Sequence, residues 1–194
     1  MQHPKEEKTF VLIKPDGVRK GLIGEIINRF ERRDLKVVAL DMYQPTKAEM
    51  DNHYPKDEKW LRRIGERTTG TYEKYGHDPK RDFGTTDLIK IGKEVRKWLV
   101  DFMTSAPVVK MVVQGPHAVD MVRKIVGDTM PYLAEMGTIR GDYSADSAIS
   151  ANIDQRAIYN LVHASETPAE AKHEIQHWFG KHPVYKYKRF GIDE

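Results

Sequence analysis

The 194-residue sequence contains no cysteine, which excludes a disulfide framework, a thiolate metal site and a cysteine nucleophile. It also has no apolar run near the roughly 18 residues that a membrane helix needs, and its first eight residues are polar and charged. We therefore expect neither a signal peptide nor a transmembrane span, and we expect a cytoplasmic location. A strong charge imbalance is absent as well, because 32 basic against 29 acidic residues give a net charge of +3, too small to indicate a nucleic-acid-binding protein.

The composition is that of a globular protein. Hydrophobic residues make up 39% and charged residues 31% of the chain, and the sequence carries 9 Tyr, 6 Phe and 3 Trp. A chain of 194 residues supports one full hydrophobic core. We therefore expect a single domain over residues 1–194.

The spacing of apolar residues predicts alternating strands and helices. Strands are predicted over residues 9–13, 37–43, 108–113 and 157–163. Helices are predicted over residues 23–30, 46–54, 88–102 and 118–125, and from residue 167, where Thr-Pro-Ala-Glu combines a capping-box pair with proline at the first helical position. Residues 14–17 and 127–151 are predicted as loops, and residues 55–86 as an insertion of local helix and loop. This order is typical of an α+β sandwich with helices packed on one small sheet.

Four clusters at strand ends or in loops carry the reactive side chains. They are Lys14-Pro15-Asp16-Gly17, Gly127-Asp128-Thr129-Met130-Pro131, Gly137-Thr138-Ile139-Arg140-Gly141-Asp142 and Asn160-Leu161-Val162-His163-Ala164-Ser165-Glu166. Together they supply a cation, a hydroxyl, a guanidinium, an amide and an imidazole, which suits an anionic substrate. Taken alone, each has an ordinary structural interpretation: a turn after a strand, a surface arginine or a core histidine.

In this order the four clusters resemble those of the nucleoside diphosphate kinase family, in which KPDG, GxTxP, TIRGD and NxxHxS[DE] frame the active site. The resemblance covers residues 9–54, 98–143 and 159–179. It implies a ferredoxin-like βαββαβ sandwich, an antiparallel sheet covered by helices. It also implies two inserted segments, at approximately 55–97 and 144–155.

The resemblance further implies transfer of the γ-phosphoryl group of ATP to nucleoside diphosphates by a ping-pong mechanism, through a phosphohistidine at His163. Imidazole suits this role, because its neutral form is abundant near neutral pH and needs no separate base before attack. Positioned cations suit a transition state whose negative charge is spread over phosphate oxygens.

The family's site roles fall on nine positions. By resemblance, Glu174 and Ser165 orient His163, and the remaining six positions bind the nucleotide: Lys14, Tyr54, Arg123, Thr129, Arg140 and Asn160. Mg²⁺ is expected to arrive on the nucleotide's phosphates, without a protein ligand set. The expected partners are ATP, nucleoside diphosphates and further copies of the chain in a hexamer or tetramer. Neither membrane nor nucleic acid is expected as a partner.

Two departures from the family pattern follow the histidine: Ala164 stands where the family has Gly, and Glu166 where it has Asp. The family's base-stacking aromatic has no single match. Val95 is nearest by count, and four aromatic residues are alternatives: Trp60, Tyr72, Tyr75 and Phe83. A non-catalytic nucleotide- or nucleic-acid-binding module, and a docking surface formed by the insertions, are the alternative functions.

Overall fold

The computed structural model describes residues 6–190, and its framework is one antiparallel sheet of four strands. The strands are β1 (Lys8–Ile13), β2 (Lys36–Tyr43), β3 (Val108–Gln114) and β4 (Val162–Ala164), in the spatial order β2-β3-β1-β4. The predicted antiparallel sheet is therefore confirmed. Its central strand, β1, is buried from Thr9 to Ile13.

Ten α-helices are found among the described residues. They are α1 (Pro15–Arg19), α2 (Ile23–Glu31), α3 (Lys47–His53), α4 (Glu58–Lys74), α5 (Pro79–Phe83), α6 (Leu88–Met103), α7 (Ala118–Val126), α8 (Ile139–Tyr143), α9 (Ala148–Ile153) and α10 (Pro168–Phe179). With β1, α2, β2, β3, α7 and β4 in chain order, the fold is the predicted ferredoxin-like α+β sandwich. No helix in this part of the chain combines the length and apolar character needed to cross a membrane.

Alternation along β1 divides the core into two layers. Val11 and Ile13 face one cluster, which includes residues from α2 and α7. Phe10 and Leu12 face the other, which includes residues from α3, α6 and α10. Helices therefore cover both faces of the sheet, and the reactive clusters meet at its edge.

Three predicted segments differ from the structure. The predicted loop at residues 14–17 begins helix α1, because Pro15 at the first helical position has its φ already set for a helix. The predicted loop at 127–151 contains the short helices α8 and α9. The last strand starts at Val162 rather than at residue 157, because the left-handed φ of 68° at Leu161 interrupts extended backbone just before it.

Residues 55–86 hold more helix than predicted. Helix α4 spans 17 residues, begins at an Asp57 cap and packs against α6. A Cβ on Gly65 would lie 2.1 Å from the carbonyl oxygen of Leu88, so the two helix backbones meet where a side chain is missing. Tyr72 is fully buried beside Phe83. The segment is thus helical and packs against α6.

Candidate active site

A tight turn before β4 joins the Asn160 cluster to the Lys14 cluster. The N–H of Val162 donates to the carbonyl of Asn160 over 2.7 Å, a γ-turn centred on Leu161 with its positive φ. Leu161 is held from both sides, because the N–H of Lys14 donates to its carbonyl (2.8 Å) and its own N–H donates to the buried carboxylate of Asp16 (2.9 Å). This strained turn places Asn160 and His163 beside the end of β1.

Lys14 and Asn160 form the next layer of the site. The Lys14 Nζ donates to Asn160 Oδ1 over 2.7 Å, and Asn160 Nδ2 donates to the carbonyl of Thr129 over 3.0 Å. Burial, reinforced by the positive charge of Arg140, lowers the pKa of Lys14 to about 8. A bound anion would favour the charged form of this lysine.

Arg140, on α8, holds the loop at Gly127 and the segment at Asn160 and Val162 together. Its guanidinium donates to the carbonyls of Asn160 (3.1 Å), Gly127 (2.8 Å) and Val162 (2.7 Å), and the residue is only 8% exposed. Burial lowers the pKa of Arg140 to about 10. Among residues 6–190, neither this arginine nor Lys14 has a carboxylate within ion-pair distance. A buried cation and a half-buried one without such partners favour an incoming anion.

Gly127 is needed for this arrangement, because its φ of 87° and ψ of −177° belong to a region that essentially only glycine adopts. A Cβ there would also lie 2.4 Å from Thr138 Oγ1. That hydroxyl caps α8 by accepting from the N–H of Gly141 (3.1 Å), and α8 carries Arg140.

His163 lies on β4 and contacts a buried carboxylate. Its Nε2 is 2.7 Å from Glu174 Oε1, while the Ser165 hydroxyl donates to Glu174 Oε2 over 2.6 Å. Burial raises the pKa of Glu174, but the hydrogen bonds and charge of its neighbours, His163 first, outweigh burial and leave that pKa below its usual value. An ionised carboxylate only accepts, so Nε2 carries the proton and Nδ1 keeps its lone pair.

His53, the last residue of α3, and Tyr54, which follows it, complete the surroundings of His163. The ring of His53 is perpendicular to that of His163 at 5.4 Å, and its Nδ1 is 4.0 Å from Glu174 Oε1. Burial and, second, the charge of His163 lower the pKa of His53 to about 3, so His53 is neutral at physiological pH. Burial, with the charge of Glu174, raises the pKa of Tyr54, whose hydroxyl therefore stays protonated.

Two adjoining cavities open at His163. We call the one of about 320 Å³ the phosphate cavity; six predicted site residues line it, namely Lys14, Arg123, Thr129, Arg140, Asn160 and His163. The second, of about 380 Å³, is lined by Tyr54, Glu174 and Trp60 as well as His163. Ser165 lies behind Glu174 and is fully buried. The structure thus brings all nine predicted residues to one place.

Four residues near His163 were missed by sequence reasoning: Asp16, His53, Arg63 and Arg67. Asp16 stands inside a recognised cluster, and only its buried contact to Leu161 shows its role. His53, as a lone histidine, carried no signal. Arg63 and Arg67 line the phosphate cavity from α4, which lies in the segment predicted only as an insertion of local helix and loop.

One group of potential metal ligands occurs among the described residues, and it consists of His53, His163 and Glu174 with ligand atoms within 4.8 Å of one another. Mg²⁺ prefers oxygen ligands and keeps several waters. This nitrogen-rich group does not match it, which is consistent with magnesium held by a ligand's own phosphates.

Of the four aromatic alternatives for stacking on a base, Tyr72 is excluded by complete burial.

These features define a class of site: several cations surround a cavity that ends at an imidazole nitrogen with a free lone pair, the arrangement expected of a phosphotransferase that uses histidine. The family model described as nucleoside diphosphate kinase matches residues 7–61 and 89–184. The chain is 47% identical over 178 residues to the nucleoside diphosphate kinase of Pyrobaculum aerophilum, with 92% of this chain and 97% of that protein covered.

Solved structures agree with the family match. The crystal structure of an NDP kinase from Pyrobaculum aerophilum superposes with a TM-score of 0.89 at 45% identity, covering 93% of this chain and 100% of that one. A transition-state mimic of the Borrelia burgdorferi nucleoside diphosphate kinase, with bound vanadate and ADP, gives 0.74 at 34% identity, covering 97% and 95%. The chain belongs to the nucleoside diphosphate kinase family and is a phosphotransferase enzyme of that kind.

Proposed function

We propose that the chain transfers the γ-phosphoryl group of ATP to nucleoside diphosphates through a phosphohistidine at His163, in two half-reactions. The observation that carries this proposal is the contact between His163 Nε2 and Glu174, because it leaves Nδ1 as the nucleophile. In the first half-reaction Nδ1 attacks the γ-phosphorus, a nitrogen–phosphorus bond forms, and the bond to the bridging oxygen breaks to release ADP. A nucleoside diphosphate then takes the group by the reverse chemistry.

Glu174 and Ser165 position the imidazole in this scheme. The ring gains positive charge as the nitrogen–phosphorus bond forms, and the adjacent carboxylate offsets that charge. The Ser165 hydroxyl holds the second carboxylate oxygen, so the carboxylate cannot rotate away. Neither residue needs to touch the phosphate.

Six residues would bind the nucleotide. Lys14, Arg123, Thr129 and Arg140 supply donors to phosphate oxygens, Asn160 and Lys14 supply donors to the sugar, and the Tyr54 hydroxyl lies toward the transferred group. Their lining of two cavities that share His163 supports these assignments. Arg123 is 3.9 Å from Glu166 and 43% exposed, so it is free to turn toward a phosphate.

Mg²⁺ is proposed as the cofactor, bound to the nucleotide's phosphates; when bound, it neutralises phosphate charge. We further propose that residues 1–194 form one domain that assembles as a homo-oligomer, hexamer or tetramer, and acts in the cytoplasm. The magnesium and the oligomer rest on the family resemblance, whereas the single domain and the location rest on the length and composition of the chain.

The proposal is tested by incubating the protein with γ-labelled ATP. We expect an acid-labile, base-stable phosphoprotein that any nucleoside diphosphate discharges, and no label on His163→Ala. His77→Ala serves as the matched control, because His77 is exposed and lies outside both cavities. Equal labelling of His163→Ala and wild type would refute the mechanism, whereas stable label that diphosphates cannot discharge would favour the non-catalytic binding module.

A further inference from the structure

Helix α4 brings two arginines to the phosphate cavity from outside the segments that match the family model. Arg63 and Arg67 are four residues apart and therefore lie on one face of the helix. Both line the phosphate cavity together with Lys14, Arg140 and His163. Arg63 also borders the second cavity, so it lies beside His163 in both.

Neither arginine is engaged by another protein group. Within residues 6–190, the guanidinium groups of Arg63 and Arg67 make no hydrogen bond and no ion pair. The two carboxylates of the same cavity have other contacts: Glu166 is 3.9 Å from Arg123, and Glu170 accepts from the N–H of Glu166 over 2.6 Å. The guanidinium groups are therefore available to a ligand.

The charge of the cavity favours an anion with several negative charges. At neutral pH its lining includes five cations, namely Lys14, Arg63, Arg67, Arg123 and Arg140, against two carboxylates, Glu166 and Glu170, an excess of three positive charges. Without α4 that excess would fall to one. The two arginines thus account for two of the three excess charges, and guanidinium forks match phosphate oxygens.

The position of α4 is set by packing. Gly65 lies between the two arginines in sequence and on the opposite face, where it meets the backbone of α6 at Leu88. Leu61 and Tyr72, before and after them, are buried. Arg63 and Arg67 consequently project from a part of α4 that is held in place by buried residues before and after it.

We propose that Arg63 and Arg67 bind phosphate oxygens of the substrate nucleotide. The part of α4 outside the family-matched residues thus supplies part of the nucleotide site. This inference rests on the proposed function for the identity of the ligand. Phosphate recognition by these arginines should depend on the number of phosphates and not on the base.

The test compares Arg63→Gln, Arg67→Gln and the double variant with the control Arg62→Gln. Arg62 is the neighbouring exposed arginine on α4, and it lines neither cavity. Two constants are measured: KM for ADP as phosphoryl acceptor, and the dissociation constant of pyrophosphate, by calorimetry without divalent cations. Pyrophosphate has phosphates but no base, so it isolates the proposed contact.

We expect each single variant to raise both constants by about 3- to 10-fold and the double variant by more, as for the loss of charge-assisted contacts at a partly exposed site. Arg62→Gln should leave both constants unchanged, and Arg63→Lys should recover part of the loss. Wild-type constants in the double variant would overturn the proposal. A raised KM for ADP with unchanged pyrophosphate binding would also overturn it, because the contact would then be to the base or sugar.

Labelling of His163 is measured on the same samples to separate the two proposals. If pyrophosphate binding weakens in the variants while wild-type protein takes no label, the phosphohistidine mechanism fails and the phosphate site stands. If the label forms normally in wild type and pyrophosphate binding ignores both arginines, only the present inference fails.

Discussion

Glu174 contacts His163 and Ser165 with different oxygens, Oε1 at 2.7 Å from Nε2 of the imidazole and Oε2 at 2.6 Å from the hydroxyl. The carboxylate thereby selects which ring nitrogen carries the proton. Although Glu174 is only 4% exposed, the hydrogen bonds and charge of its neighbours lower its pKa, so it remains ionised throughout the neutral range.

Replacing Glu174 with glutamine keeps the shape of the side chain and removes its charge. We expect kcat to fall by roughly 10- to 100-fold, the range for removing a carboxylate that orients a functional histidine, with little change in KM for ADP. Glu31→Gln, at the exposed end of α2, should behave as wild type. An unchanged kcat would show that the contact does not serve the reaction.

Lys14 gives a prediction for alkaline pH. Its pKa of about 8 in the free protein means that it loses its charge as pH rises through 8, whereas a bound phosphate favours the charged form. Affinity for ADP should therefore fall above pH 8, by up to about tenfold per pH unit. Lys14→Arg keeps the charge and should flatten the profile between pH 8 and 9.5; the same slope in both proteins would exclude Lys14 as its origin.

The same shift has a consequence for stability. The folded pKa of Lys14 lies below its ordinary value of 10.5, because the folded state disfavours the protonated lysine. The contribution of Lys14 to stability is therefore present above pH 10.5 and is lost as pH falls through about 8. Below pH 8 the folded protein carries a buried charge. We expect inorganic phosphate to raise the unfolding temperature of wild type at pH 7, and to do so less in Lys14→Met.

Alanine variants of Gly127 and Gly137 distinguish the cost of backbone strain from the cost of a steric clash. Both have positive φ, 87° and 89°, but only a Cβ on Gly127 would meet another atom, Thr138 Oγ1 at 2.4 Å. Gly127→Ala should destabilise the fold by about 1–3 kcal/mol more than Gly137→Ala, measured by urea unfolding. It should also lower activity, because the Gly127 carbonyl holds Arg140; equal losses in the two variants would contradict the steric argument.

Gly65 and Gly70 test the packing of α4. A Cβ at Gly65 would overlap the Leu88 carbonyl at 2.1 Å, whereas Gly70 has open space and lies in the same helix. Gly65→Ala should cost about 1–3 kcal/mol, while Gly70→Ala should stabilise by about 0.5–1 kcal/mol, in thermal unfolding. Stabilisation by both changes would mean that α4 does not need this close approach.

Local signals were sufficient where a physical cause acts within a few residues. The buried strand at Phe10–Ile13, the helix predicted from residue 46 and the proline start of α10 follow from neighbouring side chains, and all three are present. The second of these begins with a capping box of Thr46 and Glu49. The capping pair at Thr167 is only half formed: Thr167 accepts from the N–H of Glu170, but the Glu170 carboxylate accepts from the N–H of Glu166. The spacing of residue types does not show which backbone N–H, that of Glu166 or that of Thr167, donates to the Glu170 carboxylate.

The sequence by itself indicated phosphoryl transfer, because the four clusters and their order along the chain resemble those of the nucleoside diphosphate kinase family, and it predicted His163 as the nucleophile. Only the tertiary structure decided what surrounds that histidine. The left-handed Leu161, the neutral His53 and the arginines of α4 depend on contacts between segments far apart in sequence, such as Asp16 and Leu161, which are 145 positions apart. Burial, charge and backbone strain arise from those contacts, and no local pattern encodes them.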